Sequence, residues 1–144
     1  MYEFVLTLFG AFLASYFTNV GLQNAKYKTL NKPSWFPPGY LFGIAWTIIY
    51  ILFAISWSKI SSISTINMLY MINLFLNVLW CFVFFYINEY KLALYVLLAL
   101  NLVLFTQIGY VYKYDFSATL MLIPYLLWTL FASFLNYSIN QLNN

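Results

Sequence analysis

Histidine and arginine are both missing from this 144-residue chain, and charge of either sign is scarce. Without imidazole there is no histidine zinc ligand, no imidazole acid–base catalyst and no histidine-bound haem. Only three acids occur, Glu3, Glu89 and Asp115, and all lie at the edges of apolar runs, so no paired-carboxylate site forms. Cysteine occurs once, as Cys81, which excludes an intrachain disulfide. No glycine-rich phosphate loop is present. Charged residues make up 6% of the chain and hydrophobic ones 65%, whereas soluble domains carry about 25% charge. The composition is that of a membrane protein, with no binding site for metal or cofactor.

What is present is a series of apolar runs, each near the roughly 20 residues that cross a bilayer as a helix. They predict an all-α membrane protein of five transmembrane helices in a single bundle, one membrane domain over residues 1–144. The expected spans are residues 4–22, 40–57, 66–87, 92–110 and 117–139, and they leave no room for a soluble domain. The first run has no basic segment before it and is longer than the core of a signal peptide, so it reads as a retained span. Its small residues, Gly10 with Ala14 and Ala11 with Ser15, would admit another helix closely. The long first loop, 23–38, holds Pro33, Pro37 and Pro38, which forbid helix there until the first turn of the next span. Asn88–Lys91 is too short a link for anything but an antiparallel pair. Asp115 is placed to cap the last span, and Pro124 inside it is expected to kink it by freeing the Leu120 carbonyl.

Five spans put Lys26, Lys28, Lys32 and Lys91 on one side and only Lys59 and Lys113 on the other. The positive-inside rule then places the 23–38 loop and the C-terminus in the cytoplasm, with a bacterial inner membrane as the default location. So few basic residues beside a membrane speak for topology and lipid headgroups, not for nucleic acid.

Three spans carry stripes that mix aromatic and amide side chains at helical spacing. The second offers Phe42, Trp46, Ile49, Tyr50, Phe53 and Trp57. The third offers Tyr70, Asn73, Asn77, Trp80 and Phe84, and the fifth Tyr125, Trp128, Ala132 and Asn136. Ordinary packing accounts for any one of these, and Asn73 and Asn77 taken singly are interhelical glue. Tyr2, Tyr86, Tyr90, Tyr110, Tyr112, Tyr114 and Trp57 sit near span ends and read as interfacial anchors. In combination, two amides one turn apart beside Trp80 would line a cavity for a flat apolar ligand with polar edges. No span carries a charge away from its ends, which argues against ion-coupled transport.

Pro33-Ser34-Trp35-Phe36-Pro37-Pro38, followed by Phe42, Trp46 and Tyr50, resembles the loop and second helix of the translocator protein family, also called the tryptophan-rich sensory proteins. The likeness continues through Asn77, Trp80 and Phe84-Phe85, and through Pro124-Tyr125-Leu126-Leu127-Trp128, Phe131-Ala132 and Leu135-Asn136, covering essentially the whole chain. It implies a five-helix bundle whose first loop closes over a pocket for porphyrins such as protoporphyrin IX or other flat ligands. Tyr27, Trp35, Pro38, Phe42, Trp46, Tyr50, Asn73, Asn77, Trp80, Tyr125, Trp128 and Ala132 would line that pocket. Some relatives degrade porphyrin in light, and by resemblance Trp46 and Trp128 would be the catalytic pair. Two departures bear on this. Lys26 stands where relatives often have tryptophan, and Tyr137 is followed by no basic residue within five positions, so cholesterol is not an expected partner. Membrane lipid and a second copy of the chain, meeting through the Gly10/Ala14 face, are the other expected partners. The readings left standing are a sensory or binding protein, a light-dependent porphyrin-degrading enzyme, a tetrapyrrole or lipid transporter, and a scaffold for another membrane protein.

Overall fold

The computed structural model describes residues 1–143, and helices are the only regular elements among them. In chain order they are α1 (Tyr2–Leu22), the short α2 (Ala25–Lys28), α3 (Gly39–Ile60), α4 (Ser64–Cys81), α5 (Tyr90–Tyr112) and α6 (Phe116–Leu142). Helix α4 continues without a break into a π-helical turn, Phe82–Ile87, that ends at Asn88. Five helices are therefore long and apolar enough to span a membrane. Each exceeds its expected run by a few residues, because terminal turns extend into polar residues that hydropathy alone does not claim.

Local chemistry fixes the ends. Asp115 accepts the amide of Ala118 at 2.9 Å and so caps α6, which holds its carboxyl below the ordinary value of 3.8. Pro124 lies inside α6 and the helix runs on through it. Asn88 takes φ 65°, the left-handed conformation that asparagine tolerates better than most residues, and this stops the π-helical turn. Residues 25–28 of the first loop, expected as a turn or extended loop, form α2, which the Asn24 side chain caps by accepting from the Lys26 amide at 2.9 Å. The proline-bearing part of the loop stays non-helical.

Helices α4, α5 and α6 pack in sequence, α3 closes against α6, and α1 lies across α3 and α4. Two apolar cores result. One gathers Trp80, Phe84, Phe85, Leu97 and Leu135 near the first loop; the other gathers Phe53, Trp57, Ile66, Tyr70, Leu104 and Leu122 toward the opposite end. Trp46 packs against both.

Glycine decides how α1 sits. A Cβ on Gly10 would lie 2.7 Å from the Leu74 tip, and one on Gly21 would overlap the Phe85 carbonyl oxygen. With Ala14 buried between them, the small-residue face of α1 is consumed inside the monomer against α4. It is therefore not a free face for a second copy, contrary to the sequence expectation. Two interfacial anchors are also corrected. Trp57 is fully buried, stacked on Tyr70 and donating to Asn67 Oδ1 at 2.7 Å, and Tyr90 is buried in the core beside Phe84. Tyr2, Tyr86, Tyr110, Tyr112 and Tyr114 are exposed, as expected of anchors.

Candidate functional site

Because α1 hugs α4 through its glycines, it parts from α3 toward the first loop, and a cavity of about 500 Å³ opens there. Phe42, Trp46, Thr47, Tyr50 and Ile51 form the α3 wall; Ala11, Ala14, Ser15, Thr18, Asn19 and Leu22 form the α1 wall; Cys81 and Phe85 contribute from α4 and its π-helical turn. The volume falls within the range that holds a small molecule, and the lining is mostly apolar with a few polar groups. Thr18 and Thr47 satisfy their hydroxyls on carbonyls of their own helices, Ala14 at 2.8 Å and Gly43 at 2.7 Å. Ser15 and Asn19 keep donors for an occupant, and the oxygens of Thr18, Thr47 and Tyr50 keep lone pairs.

Of the residues expected in the pocket, Phe42, Trp46 and Tyr50 line this cavity. Behind them stands a close-packed aromatic cluster. Trp46 lies with ring centroids 5.7 Å from Tyr50, and 6.2 Å from each of Trp80, Tyr125 and Trp128. Phe42 meets Trp128 at 5.7 Å. Trp80 donates to Asn136 Oδ1 at 3.0 Å, and Asn136 donates on to the Tyr90 carbonyl. The indole N–H of Trp128 is buried among these rings with no acceptor among the described residues.

Asn73 and Asn77, which the sequence had suggested as lining residues, are not part of the wall of this cavity. Both are essentially inaccessible and belong to a relay of hydrogen bonds through the bundle. Tyr50 donates to Asn77 Oδ1 at 2.5 Å, Asn77 Nδ2 to Tyr125 Oη at 2.9 Å, Tyr125 to Asn73 Oδ1 at 2.6 Å, and Asn73 Nδ2 to Gln107 Oε1 at 2.7 Å. Buried amides in an apolar bundle need such partners, and Tyr125 and Gln107 supply them. Ala132 opens no space either; it is buried in the core with Trp80 and Leu135.

The first loop lies over this end of the bundle and is held at four places. Tyr27 packs 6.0 Å from Phe85, and burial raises its hydroxyl above the ordinary range. Lys32 sits over the Tyr27 ring at 4.3 Å. Lys26 donates to the Asn88 carbonyl at 3.3 Å, so it pins the loop to the α4–α5 turn. Asn31 and Asn143 exchange hydrogen bonds of 2.9 and 2.8 Å, which ties the loop to the end of α6. Trp35 stacks on Phe134 at 5.2 Å, on the outside of the bundle, and Pro38 precedes the first turn of α3. Trp35 and Pro38 thus shape the lid without reaching the cavity.

Sequence reasoning missed the α1 wall and Gln107. A signal for the first existed: Ser15, Asn19 and Gln23 recur every fourth residue in an otherwise apolar stretch. The second was visible as an amide inside the apolar run of α5.

Five apolar helices, a proline-bearing loop clasped over one end and a tryptophan cluster below it are the setting for the comparison with known proteins. The TspO/MBR family profile matches residues 4–142. This chain belongs to that family. It is 36% identical over 137 residues to the tryptophan-rich protein TspO of Archaeoglobus fulgidus, covering 92% of this chain and 88% of that one. Protein CrtK of Rhodobacter capsulatus is 34% identical over 126 residues, covering 83% and 79%. The tryptophan-rich sensory protein of Cereibacter sphaeroides is 31% identical over 120 residues, covering 81% and 76%. In TspO/MBR terms the chain is a multi-pass membrane protein of the tryptophan-rich sensory type.

Proposed function

We propose that this TspO/MBR protein binds porphyrin-type tetrapyrroles, or flat apolar molecules like them, within the membrane and acts as a sensor of such ligands. The observation that carries the reading is the 500 Å³ cavity with Phe42, Trp46 and Tyr50 along one wall. A flat conjugated ligand gains from aromatic faces beyond the area it buries. Recognition rests on stacking and on neutral hydrogen bonds, since no histidine exists to hold a metal at the ring centre. Lys28, exposed on α2, offers a cation to a carboxylate-bearing ligand edge. The excess of lysine around the first loop supports placing that loop in the cytoplasm. The names of the relatives from Archaeoglobus and Cereibacter, tryptophan-rich and sensory, agree with this reading.

The test is a tryptophan-fluorescence titration of the detergent-purified protein with protoporphyrin IX in the dark, with Trp46→Phe alongside. Saturable quenching that weakens in the variant supports the pocket. Linear quenching equal in both proteins means the porphyrin partitions into micelles, and the reading falls. One observation favours a second reading: Trp80 and Trp128 each stand 6.2 Å, centroid to centroid, from Trp46 on the cavity wall. Such an array suits one-electron oxidation by an illuminated porphyrin in the presence of dioxygen. Repeating the titration under light decides it, because only porphyrin breakdown yields a new absorbing product that Trp46→Phe fails to make.

A further inference from the structure

We propose that Tyr50 gives the cavity its polar selectivity by serving as a fixed hydrogen-bond acceptor, so that it prefers flat ligands with an N–H or O–H donor at the edge. The inference rests on the pocket reading above and adds to it the chemistry of the occupant. A tyrosine hydroxyl has one proton, and that of Tyr50 is committed to Asn77 Oδ1. What Tyr50 can still offer a neighbour is an oxygen lone pair.

The commitment is not local. Asn77 presents its oxygen to Tyr50 because its nitrogen is given to Tyr125 Oη. Tyr125 can accept there because its own proton goes to Asn73 Oδ1, and Asn73 donates in turn to Gln107 Oε1, where the relay ends with Gln107 Nε2 unpartnered among the described residues. Freeing the Tyr50 proton within this intact relay requires three amides to turn over and two hydroxyl protons to rotate together. Chains of this kind hold one direction cooperatively. Asn77, Asn73, Tyr125 and Gln107 are therefore positioning residues that never touch the ligand. Thr18 and Thr47 also have their protons committed, to carbonyls of their own helices, and so add two acceptors of the same kind. Ser15 and Asn19 lie on the α1 wall, and Asn19 is joined to Ser15 only by a long contact of 3.4 Å. Ser15 and Asn19 can turn either a donor or an acceptor toward a ligand, and so do not discriminate. Tyr50 does, together with Thr18 and Thr47, and of the three only Tyr50 has its proton held by a side chain outside the cavity.

The experiment uses carbazole and dibenzofuran, two tricycles of the same outline that differ in carrying a ring N–H or a ring oxygen. Binding to the purified full-length protein is followed by quenching, in wild type, Tyr50→Phe and Asn77→Leu. Wild type should prefer carbazole about five-fold, the ratio one net neutral hydrogen bond supplies. Tyr50→Phe should reduce the preference, leaving only what the Thr18 and Thr47 oxygens supply. Asn77→Leu, which changes a residue outside the cavity, should release the Tyr50 proton and turn the preference toward dibenzofuran. A general loosening of the bundle would weaken both probes alike and would not reverse their order. Should Asn77→Leu fail to fold, the Tyr50→Phe result decides. Saturable binding with no preference in wild type, or a preference for dibenzofuran, overturns the inference and leaves the pocket standing. Unsaturable binding of both probes in all proteins overturns the pocket and this inference together.

Discussion

Trp80 and Trp128 lie in one aromatic cluster, yet the same substitution should have different consequences at the two sites. Trp→Phe removes the same indole volume in each case, and because Trp80 is buried and Trp128 only partly so, the packing loss falls more heavily on Trp80 and adds to the hydrogen-bond difference. The hydrogen bonds act in opposite directions. Trp80→Phe deletes the donor to Asn136 Oδ1 and leaves a buried carbonyl oxygen unpaired. Trp128→Phe deletes a buried N–H that has no acceptor among the described residues, and so removes a penalty that wild type carries. Stranding a buried polar group costs about 1–3 kcal/mol, but interhelical hydrogen bonds inside membranes average nearer about 0.6 kcal/mol. Taking about 1 kcal/mol for each effect, with opposite signs, separates the variants by about 2 kcal/mol, or about 30-fold in the folded-to-unfolded ratio. SDS titration in mixed micelles, followed by circular dichroism, measures that gap. Trp128→Phe should be the more stable of the two. A gap below about 0.5 kcal/mol, or the reverse order, would refute the hydrogen-bond argument.

The two buried glycines of α1 should respond unequally. Gly21→Ala meets the Phe85 backbone and should destabilise by about 2 kcal/mol or more, whereas Gly10→Ala meets only a leucine tip and should cost under about 1 kcal/mol, both read by the same titration. Asn143→Ala unclasps Asn31 and should speed hydrogen exchange of the Asn31 amide while that of the α5 core amides is unchanged. With no histidine in the chain, stability should be flat between about pH 5 and 8. Below that window it should fall, because a carboxyl depressed in the fold, as Asp115 is, contributes fully above its unfolded value of 3.8 and is lost as pH drops through the lower folded value. A stability step near neutral pH would contradict this.

Much of the architecture was legible because bilayer crossing is a problem of length and polarity, and apolar runs report both. The stripes on α3, α4 and α6 also turned inward as their spacing required: Phe53, Tyr70, Asn77, Trp80, Tyr125 and Asn136 are all buried. Spacing says which residues share a face, but not which of them pair with one another. Hence Asn73 and Asn77, read as cavity-lining amides, proved to be satisfied by Tyr125 and by Gln107 from a helix that drew no notice. The α1 wall was illegible for a related reason. Where α1 leaves α3 depends on Gly21 meeting a π-helical turn more than sixty residues away, and no local pattern announces that turn.

The placement of the five tryptophans has an optical consequence. Trp46, Trp80 and Trp128 are close enough to exchange excitation among themselves, so light absorbed by any of them reaches the member most easily quenched. Trp57 stands apart in the other core, stacked on Tyr70 and shielded from solvent, and Trp35 lies outside on Phe134. The emission of this protein therefore divides into a shared signal from the cavity end, a shielded one from the far core and an exposed one from the lid. A molecule entering beside Trp46 dims the first as a unit, while an agent that cannot enter the bundle dims the last.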